Sequence, residues 1–149
     1  MLYLDTSSLL KTLIAEPESS AVDSALAVER AIVITPLVEL ESLVQIRARW
    51  LGGRITNRQY RTLQDDFEAL KDATNMTFRT LKGTVFTTAI RQHREAGEIH
   101  CRSLDRLHLA AMEELGITRL MTHDSRQADA ARAAGFRVLT PGTTSEAAG

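Results

Sequence analysis

Residues 1–10 read Met-Leu-Tyr-Leu-Asp-Thr-Ser-Ser-Leu-Leu, a short apolar run that ends at the acidic residue Asp5. The run predicts a strand, and a second apolar run at residues 31–35 is likewise followed by helical periodicity. Strands that alternate with helices predict an α/β fold, a three-layer α/β/α sandwich with a central, mostly parallel sheet. Asp5 would then lie at the carboxyl edge of the sheet, where such folds place their sites.

The rest of the chain continues this alternation. Further strands are predicted at residues 76–81, 119–122 and 136–139. Thr56 followed by Gln59 is typical of a capping box. We expect one domain over residues 1–140 and a frayed tail over residues 141–149. Helices are predicted at residues 8–15 with Ser7 as the cap, 19–29, 36–51 with an apolar stripe of Leu37, Leu40, Val44, Ala48 and Leu51, 56–70, 84–96, 103–115 and 125–134.

Composition indicates an ordinary globular protein. Of the 149 residues, 44% are hydrophobic and 25% are charged, and no apolar run reaches the roughly 20 residues that span a bilayer. The N-terminus lacks the features of a signal peptide, and the single Cys101 has no partner for an internal disulfide. We therefore expect a cytoplasmic protein with no membrane segment.

The charge of the chain is balanced overall but uneven locally. The formal net charge of −1 gives no argument for nucleic-acid binding from the whole molecule. Between Ser42 and Gln64, however, there is no acidic residue. Arginine suits bidentate contacts with phosphate, although a solvated helix face explains this pattern equally well. The basic residues of this stretch are Arg47, Arg49, Arg54, Arg58 and Arg61.

Four acidic residues occupy positions that a parallel sheet would bring together. Asp5 and Asp124 each follow a predicted strand, Asp105 opens a largely apolar helix, and Glu41 lies within another helix. Helix capping or the helix dipole could explain each aspartate singly. Several carboxylates in one cleft repel one another unless a cation neutralises them, and oxygen ligands favour Mg²⁺ or Mn²⁺. Glu39 and Glu41 both flank the apolar stripe of their helix, so periodicity does not choose between them.

The sequence gives no support for a structural zinc site, a serine-hydrolase site or a nucleotide-binding loop. The four histidines lack the spacing of structural zinc ligands, and we interpret His108 as a helix-packing residue and His93 as a surface residue. No Gly-x-Ser-x-Gly elbow and no glycine-rich phosphate loop occurs in the sequence.

Four segments of the sequence, taken in order, resemble the PIN-domain family. They are Leu-Tyr-Leu-Asp5-Thr-Ser-Ser, Thr35-Pro-Leu-Val-Glu-Leu-Glu41, Leu104-Asp105-Arg-Leu-His-Leu-Ala-Ala and Thr122-His-Asp124. More narrowly they are similar to the VapC-type toxin ribonucleases of toxin–antitoxin operons. The resemblance spans nearly the whole chain. Its first and third segments are fairly specific together, although either alone would be weak.

The resemblance implies a metal-dependent ribonuclease toxin. Asp5 and Asp105 would ligate Mg²⁺ or Mn²⁺ directly or through water, with Glu41 and Asp124 completing the site, and Thr6 and Thr122 in support. The family offset of six residues from Thr35 favours Glu41 over Glu39. A bound metal would activate water for attack on the phosphodiester.

The resemblance also implies a homodimer, silenced by a VapB-like antitoxin, with RNA as the substrate. Arg47, Arg49 and Arg54 would contact RNA or the protein partner. Arg106 departs from the family, which more often has a small residue after the aspartate, and it would pair with an acid or meet the RNA backbone. Trp50, Tyr60 and Phe67 are candidate interface anchors, with core packing the stronger expectation for Phe67.

Two rival functions are weighed against this one. A phosphatase of the haloacid-dehalogenase type needs a second Asp two residues after the first, and that position is Ser7. A non-catalytic PIN-like scaffold that binds RNA or protein is the second rival, against which the intact set of acids argues.

Overall fold

The described part of the chain alternates five short strands with seven helices. A computed structural model describes residues 1–143. The expected flexibility of residues 144–149, in the predicted tail, lies outside these residues. In chain order the elements are β1 (Leu2–Leu4), α1 (Thr6–Leu13), α2 (Ser19–Ala27), β2 (Ile32–Ile34), α3 (Pro36–Leu51), α4 (Asn57–Lys71), β3 (Met76–Phe78), α5 (Thr84–Glu95), α6 (Ser103–Leu115), β4 (Arg119–Met121), α7 (Ser125–Ala133) and β5 (Arg137–Leu139).

All five strands form one parallel sheet in the order β3-β2-β1-β4-β5. The central strand β1 pairs Tyr3 with Val33 on one side and with Leu120 on the other. The strand order reverses direction between β1 and β4, which is the switch point where open α/β sheets form their crevice. Asp5 and Asp124 both follow strands that meet at this point.

The helices form two packed groups. Helix α1 contacts α2, α3 and α4, whereas α6 contacts α5 and α7. Right-handed crossovers that travel in opposite directions from the centre of a sheet place their helices on opposite faces. The structure therefore confirms the predicted α/β/α sandwich.

Helix α1 begins earlier than the sequence predicted. Asp5, and not Ser7, is its N-cap: one carboxylate oxygen of Asp5 accepts from the Ser7 amide at 3.2 Å and from the Ser7 hydroxyl at 2.6 Å. The prediction of Ser7 as the cap was wrong because an aspartate at the strand end can satisfy the free amides of the first turn. The predicted capping box of Thr56 and Gln59 is present at the start of α4.

Helix α3 buries a different face from its apolar stripe. Its buried residues are Val38, Ser42 and Ile46, whereas Leu40 and Val44 are 60% and 56% exposed. Helical spacing of apolar residues identified the helix but misjudged the face that packs. The buried face includes Ser42, a small polar residue that interrupts the apolar spacing of Val38 and Ile46. The apolar stripe therefore predicted the wrong contact surface.

The core is built around the central strand. Residues Leu2–Leu4 are fully buried, and Phe67 of α4 joins the same core with no exposed surface, as expected for that residue. Trp50 and Tyr60 are half-buried and stack on each other with ring centroids 4.7 Å apart. Among the described residues, no helix combines the length and apolar character that a membrane crossing requires.

Replacing Phe67 with Ala should lower the free energy of unfolding by about 3–5 kcal/mol, because it leaves a cavity in a fully buried site. Phe86, which is 59% exposed, provides the matched control, and Phe86→Ala should change the stability by less than about 1 kcal/mol. Urea denaturation of both variants measures the difference. Equal losses in the two variants would contradict the placement of Phe67 in the core.

Candidate active site

Asp5 is a buried carboxylate that neutral donors surround. It is 4% exposed and accepts hydrogen bonds from the Ser7 amide and hydroxyl and from the Thr122 hydroxyl at 2.8 Å. With its amide nitrogen turned toward Asp5, Gln127 donates to both carboxylate oxygens, at 2.9 and 3.0 Å. Within the described residues, no lysine or arginine lies within 4.0 Å of this carboxylate. Nε2 of His108 lies 4.0 Å from one oxygen of Asp5. The groups that donate hydrogen bonds to Asp5 carry no charge, so the carboxylate has no cationic hydrogen-bond donor among the described residues.

Glu41 projects from α3 to the same place. One of its oxygens accepts from the Thr6 hydroxyl at 2.8 Å and lies 2.6 Å from Nε2 of His108. Burial raises the pKa of Glu41, but the hydrogen bond and charge of His108 and the hydroxyl of Thr6 outweigh burial, so the net pKa lies below its ordinary value. Glu41 is therefore ionised near neutral pH.

His108 links Glu41 to the core. Its ring is 1% exposed, and Nδ1 lies 2.8 Å from the Tyr3 hydroxyl, which lies 2.8 Å from the Thr35 hydroxyl. An ionised carboxylate only accepts, so Nε2 donates to Glu41. With a proton on Nε2 alone, Nδ1 accepts from the Tyr3 hydroxyl and Tyr3 accepts from Thr35, whereas with both ring nitrogens protonated Nδ1 donates to Tyr3. Burial raises the pKa of the Tyr3 hydroxyl, which keeps this hydroxyl neutral and able to donate.

Glu39 lies elsewhere. Its carboxylate pairs with Lys71 of α4 at 2.8 Å. Of the two glutamates that periodicity left open, the structure brings Glu41 to Asp5 and leaves Glu39 in an ion pair between two helices.

Asp105 and Asp124 share one arginine. Arg102, the N-cap of α6, donates to Asp105 from Nε at 2.9 Å and from Nη2 at 3.2 Å, and Nη2 also binds Asp124. The hydrogen bond and charge of Asp105, with the charge of Asp124, raise the pKa of the Arg102 guanidinium above its ordinary value. Both aspartates also have structural roles, since Asp105 accepts from the backbone amide of Arg102 at the start of α6 and Asp124 caps α7.

Thr122 joins the two pairs of acids. Its hydroxyl donates to Asp5, and the same oxygen accepts from the Asp124 amide at 3.1 Å. The charge of Arg102 also lowers the pKa of Glu41, so the guanidinium acts on that carboxylate as well. The site thus consists of an Asp5–Glu41–His108 group without a lysine or arginine contact in the described chain and an Asp105–Asp124 pair held by Arg102.

The first group fits a divalent cation by its chemistry. One oxygen each of Asp5 and Glu41 and one ring nitrogen of His108 lie within 4.8 Å of one another. Two carboxylate oxygens suit Mg²⁺ or Mn²⁺, which complete their coordination with water. His108 uses both ring nitrogens in hydrogen bonds, so in this arrangement it orients Glu41.

The predicted contact residues lie away from the acids or are buried. Arg47 lies about 9 Å farther along α3 than Glu41, and Arg49 pairs with Glu16 at 3.5 Å. Arg47 and Arg54 are exposed. Arg106 is only 6% exposed, and its Nε has no hydrogen-bond partner within the described chain. Such burial does not fit the expected contact with the RNA backbone.

Sequence reasoning missed three polar residues of the site, His108, Arg102 and Gln127. His108 follows Asp105 by three residues, which places both side chains on one helix face. That spacing was a usable signal, although the apolar surroundings of His108 favoured packing. The helix-packing interpretation of His108 is confirmed as to burial but leaves out its bond to Glu41. Arg102 and Gln127 gave no comparable signal.

Comparison with known proteins agrees with this geometry. Residues 2–133 match the family model of the PIN domain. The chain is 27% identical over 142 residues to "Ribonuclease VapC46" of Mycobacterium tuberculosis strain ATCC 25618 / H37Rv, covering 94% of this chain and 97% of the relative. It is 30% identical over 147 residues to "Ribonuclease VapC47" of Mycobacterium tuberculosis strain CDC 1551 / Oshkosh, covering 95% and 98%.

Solved structures share the fold at low sequence identity. VapC20 of Mycobacterium tuberculosis, described as a sarcin-ricin loop cleaving toxin, superposes with a TM-score of 0.68 at 17% identity over 91% of this chain and 96% of the other. FitAcB from Neisseria gonorrhoeae superposes with a TM-score of 0.72 at 15% identity over 94% and 97%. The family model and the two relatives, which cover nearly the whole chain, show that the protein belongs to the PIN-domain family and, within it, to the VapC-like ribonucleases.

Proposed function

We propose that this protein is a divalent-metal-dependent endoribonuclease that acts as the toxin of a toxin–antitoxin pair. One observation carries the proposal: Asp5 and Glu41 converge at the carboxyl edge of the sheet, where His108 is the only basic side chain of the described chain within 4.0 Å of either carboxylate. Two such carboxylates repel each other unless a cation joins them. The names of the curated relatives supply the substrate class.

Mg²⁺ or Mn²⁺, when bound, would activate water and stabilise the charge that develops on the phosphate. Asp5 would hold the ion, oriented by Thr122 and Gln127, while Thr6 and His108 would fix Glu41 beside it. Asp105 is also proposed as a ligand, directly or through water, and Asp124 completes the acidic set. No residue of the site has to act as a nucleophile.

The partners of this protein follow from the same family. VapBC2 of Rickettsia felis, in a structure bound to a promoter DNA fragment, is a toxin–antitoxin neighbour with a TM-score of 0.69. We propose a VapB-like antitoxin, a homodimer and a cytoplasmic location for this chain. Arg47 and Arg49 of α3 and Arg54, which follows this helix, would contact RNA or the antitoxin.

The structure also offers one argument for a non-catalytic scaffold. Asp5, Asp105 and Asp124 each stabilise a helix N-terminus, so their presence has a structural explanation without any metal. Glu41 has no such role, because it lies inside α3, and its carboxylate points to Asp5. RNA cleavage that EDTA abolishes and Mn²⁺ restores would separate the nuclease from the scaffold.

Asp5→Asn should reduce RNA cleavage by on the order of 100-fold or more, because it removes the charge that holds the metal. Asparagine can still cap α1, so the fold should persist. Asp23→Asn, at an exposed position of α2, is the control and should leave cleavage unchanged. Full activity of Asp5→Asn in a fluorescent RNA assay would refute the proposed metal site.

Glu41→Gln should lower cleavage by more than about tenfold and weaken Mn²⁺ binding, whereas Glu39→Gln should preserve both. The reason is that Glu41 lies beside Asp5, whereas Glu39 pairs with Lys71. The Glu39–Lys71 pair is partly buried, but the amide oxygen that Glu39→Gln introduces can still accept from Lys71, so the control should fold normally. Equal losses in both variants, measured by RNA cleavage and calorimetry, would contradict this assignment.

Replacing Arg47, Arg49 and Arg54 together with Ala should weaken RNA binding and flatten its salt dependence. Each lost phosphate contact should reduce the log–log slope by about 0.7 for single-stranded RNA. Mn²⁺ affinity is the internal control and should not change, because these arginines lie away from the acids. An unchanged slope with weaker antitoxin binding would assign these arginines to the protein partner, and no change in either would leave them as plain surface residues.

A further inference from the structure

Arg102 divides the four acids of the site into two electrostatic classes. Its side chain is 57% exposed, yet its guanidinium forms a fork on both oxygens of Asp105 and also binds Asp124. The Arg102 amide adds a bond to Asp105 at 3.1 Å. Asp5 and Glu41 receive no arginine or lysine contact within the described residues. A positive charge thus already occupies the space between two acids of the proposed metal site.

Asp105 and Arg102 depend on their ion pair to different degrees. Asp105 is 4% exposed, and a buried carboxylate without a counter-charge is strongly destabilising. The guanidinium, by contrast, lies largely in solvent, where an ion pair contributes little and a long side chain can move away at small cost. Asp105 therefore requires a cation, but another cation could take the place of Arg102.

A divalent ion at Asp105 cannot share the present arrangement. Both oxygens of Asp105 accept from Arg102, and the guanidinium would repel an approaching ion. The ion carries twice the charge of the guanidinium, and the carboxylate oxygens of Asp5 and Glu41 are close enough to each other to bind it as well. The more strongly bound cation then takes Asp105, and the exposed side chain of Arg102 leaves.

We propose that Arg102 is a built-in counter-cation of the site, which pairs with Asp105 and Asp124 in the metal-free protein and which a divalent ion displaces from Asp105. This inference rests on the proposed function, since it assumes that the acids bind a metal. Arg102 thereby stabilises the metal-free fold and lowers the affinity for the ion. The affinity of the site would reflect this competition as well as the number of its ligands.

Titration of the full-length chain with Mn²⁺ alone, followed by isothermal calorimetry, tests the proposal. Arg102→Gln should bind Mn²⁺ on the order of 5-fold more tightly than the unmodified protein, because the ion no longer competes with an ion pair. Arg126→Gln is the matched control, since Arg126 is exposed near Asp124 and borders the same surface depression as Arg102 without pairing to a described carboxylate. The control removes the same charge from the same region and should change the affinity by less than about 2-fold.

Thermal unfolding gives a second readout. In EDTA, Arg102→Gln should melt at a lower temperature than the unmodified protein, because Asp105 loses its counter-charge. Saturating Mn²⁺ should then raise the melting temperature of this variant by more than it raises that of the unmodified protein. If Arg102→Gln does not fold without metal, Arg102→Lys, which keeps the charge but loses the fork, replaces it and should bind Mn²⁺ more tightly than the unmodified protein.

The outcomes separate this inference from the function on which it rests. Mn²⁺ binding that is equal in the unmodified protein and Arg102→Gln, weaker in Arg102→Gln, or altered to the same extent in the Arg126 control would overturn the role of Arg102 and leave the metal site in place. An absence of Mn²⁺ binding in every variant would overturn the proposed function and this inference together.

Discussion

The Asp5 carboxylate is the contact on which the site and the centre of the fold both depend. It ends β1, caps α1, and accepts from Thr122 after β4 and from Gln127 of α7. These elements come from both sides of the topological switch point, so one side chain joins the two halves of the sheet. Because every one of these donors is neutral, the bonds fix the carboxylate in position without cancelling its charge.

A second set of hydrogen bonds connects the core to the site and fixes the orientation of Glu41. Tyr3 is fully buried in the central strand, and its hydroxyl joins Thr35 to His108, which in turn binds Glu41. Buried polar groups are costly unless each finds a partner, and the hydroxyls of Tyr3 and Thr35 and both ring nitrogens of His108 each have one. The orientation of Glu41 is therefore set by residues that pack in the interior, and not by Glu41 alone.

The acids differ in how their charge is compensated. Neutral donors hold Asp5, whereas Arg102 holds Asp105 and Asp124. Three of the acids also stabilise the first turns of helices, so the fold and the site use the same side chains. Substitutions that preserve a cap while removing charge, such as aspartate to asparagine, are thus the ones that separate stability from function.

The sequence by itself determined the alternation of strands and helices, the placement of Asp5 and Asp124 at one sheet edge, and the family. Apolar runs, proline and glycine stops and the order of the motifs are local properties, and connectivity alone aligns the ends of parallel strands. Only the tertiary structure decided which face of α3 packs and that Arg102 and His108 belong to the site, and it brought Glu41, which the family offset favoured over Glu39, to Asp5. Those outcomes depend on which helices meet across the chain, since α4 supplies the Lys71 that takes Glu39, and α6 supplies the histidine and arginine that meet the acids. Contacts between residues distant in sequence leave no periodic trace in the sequence itself.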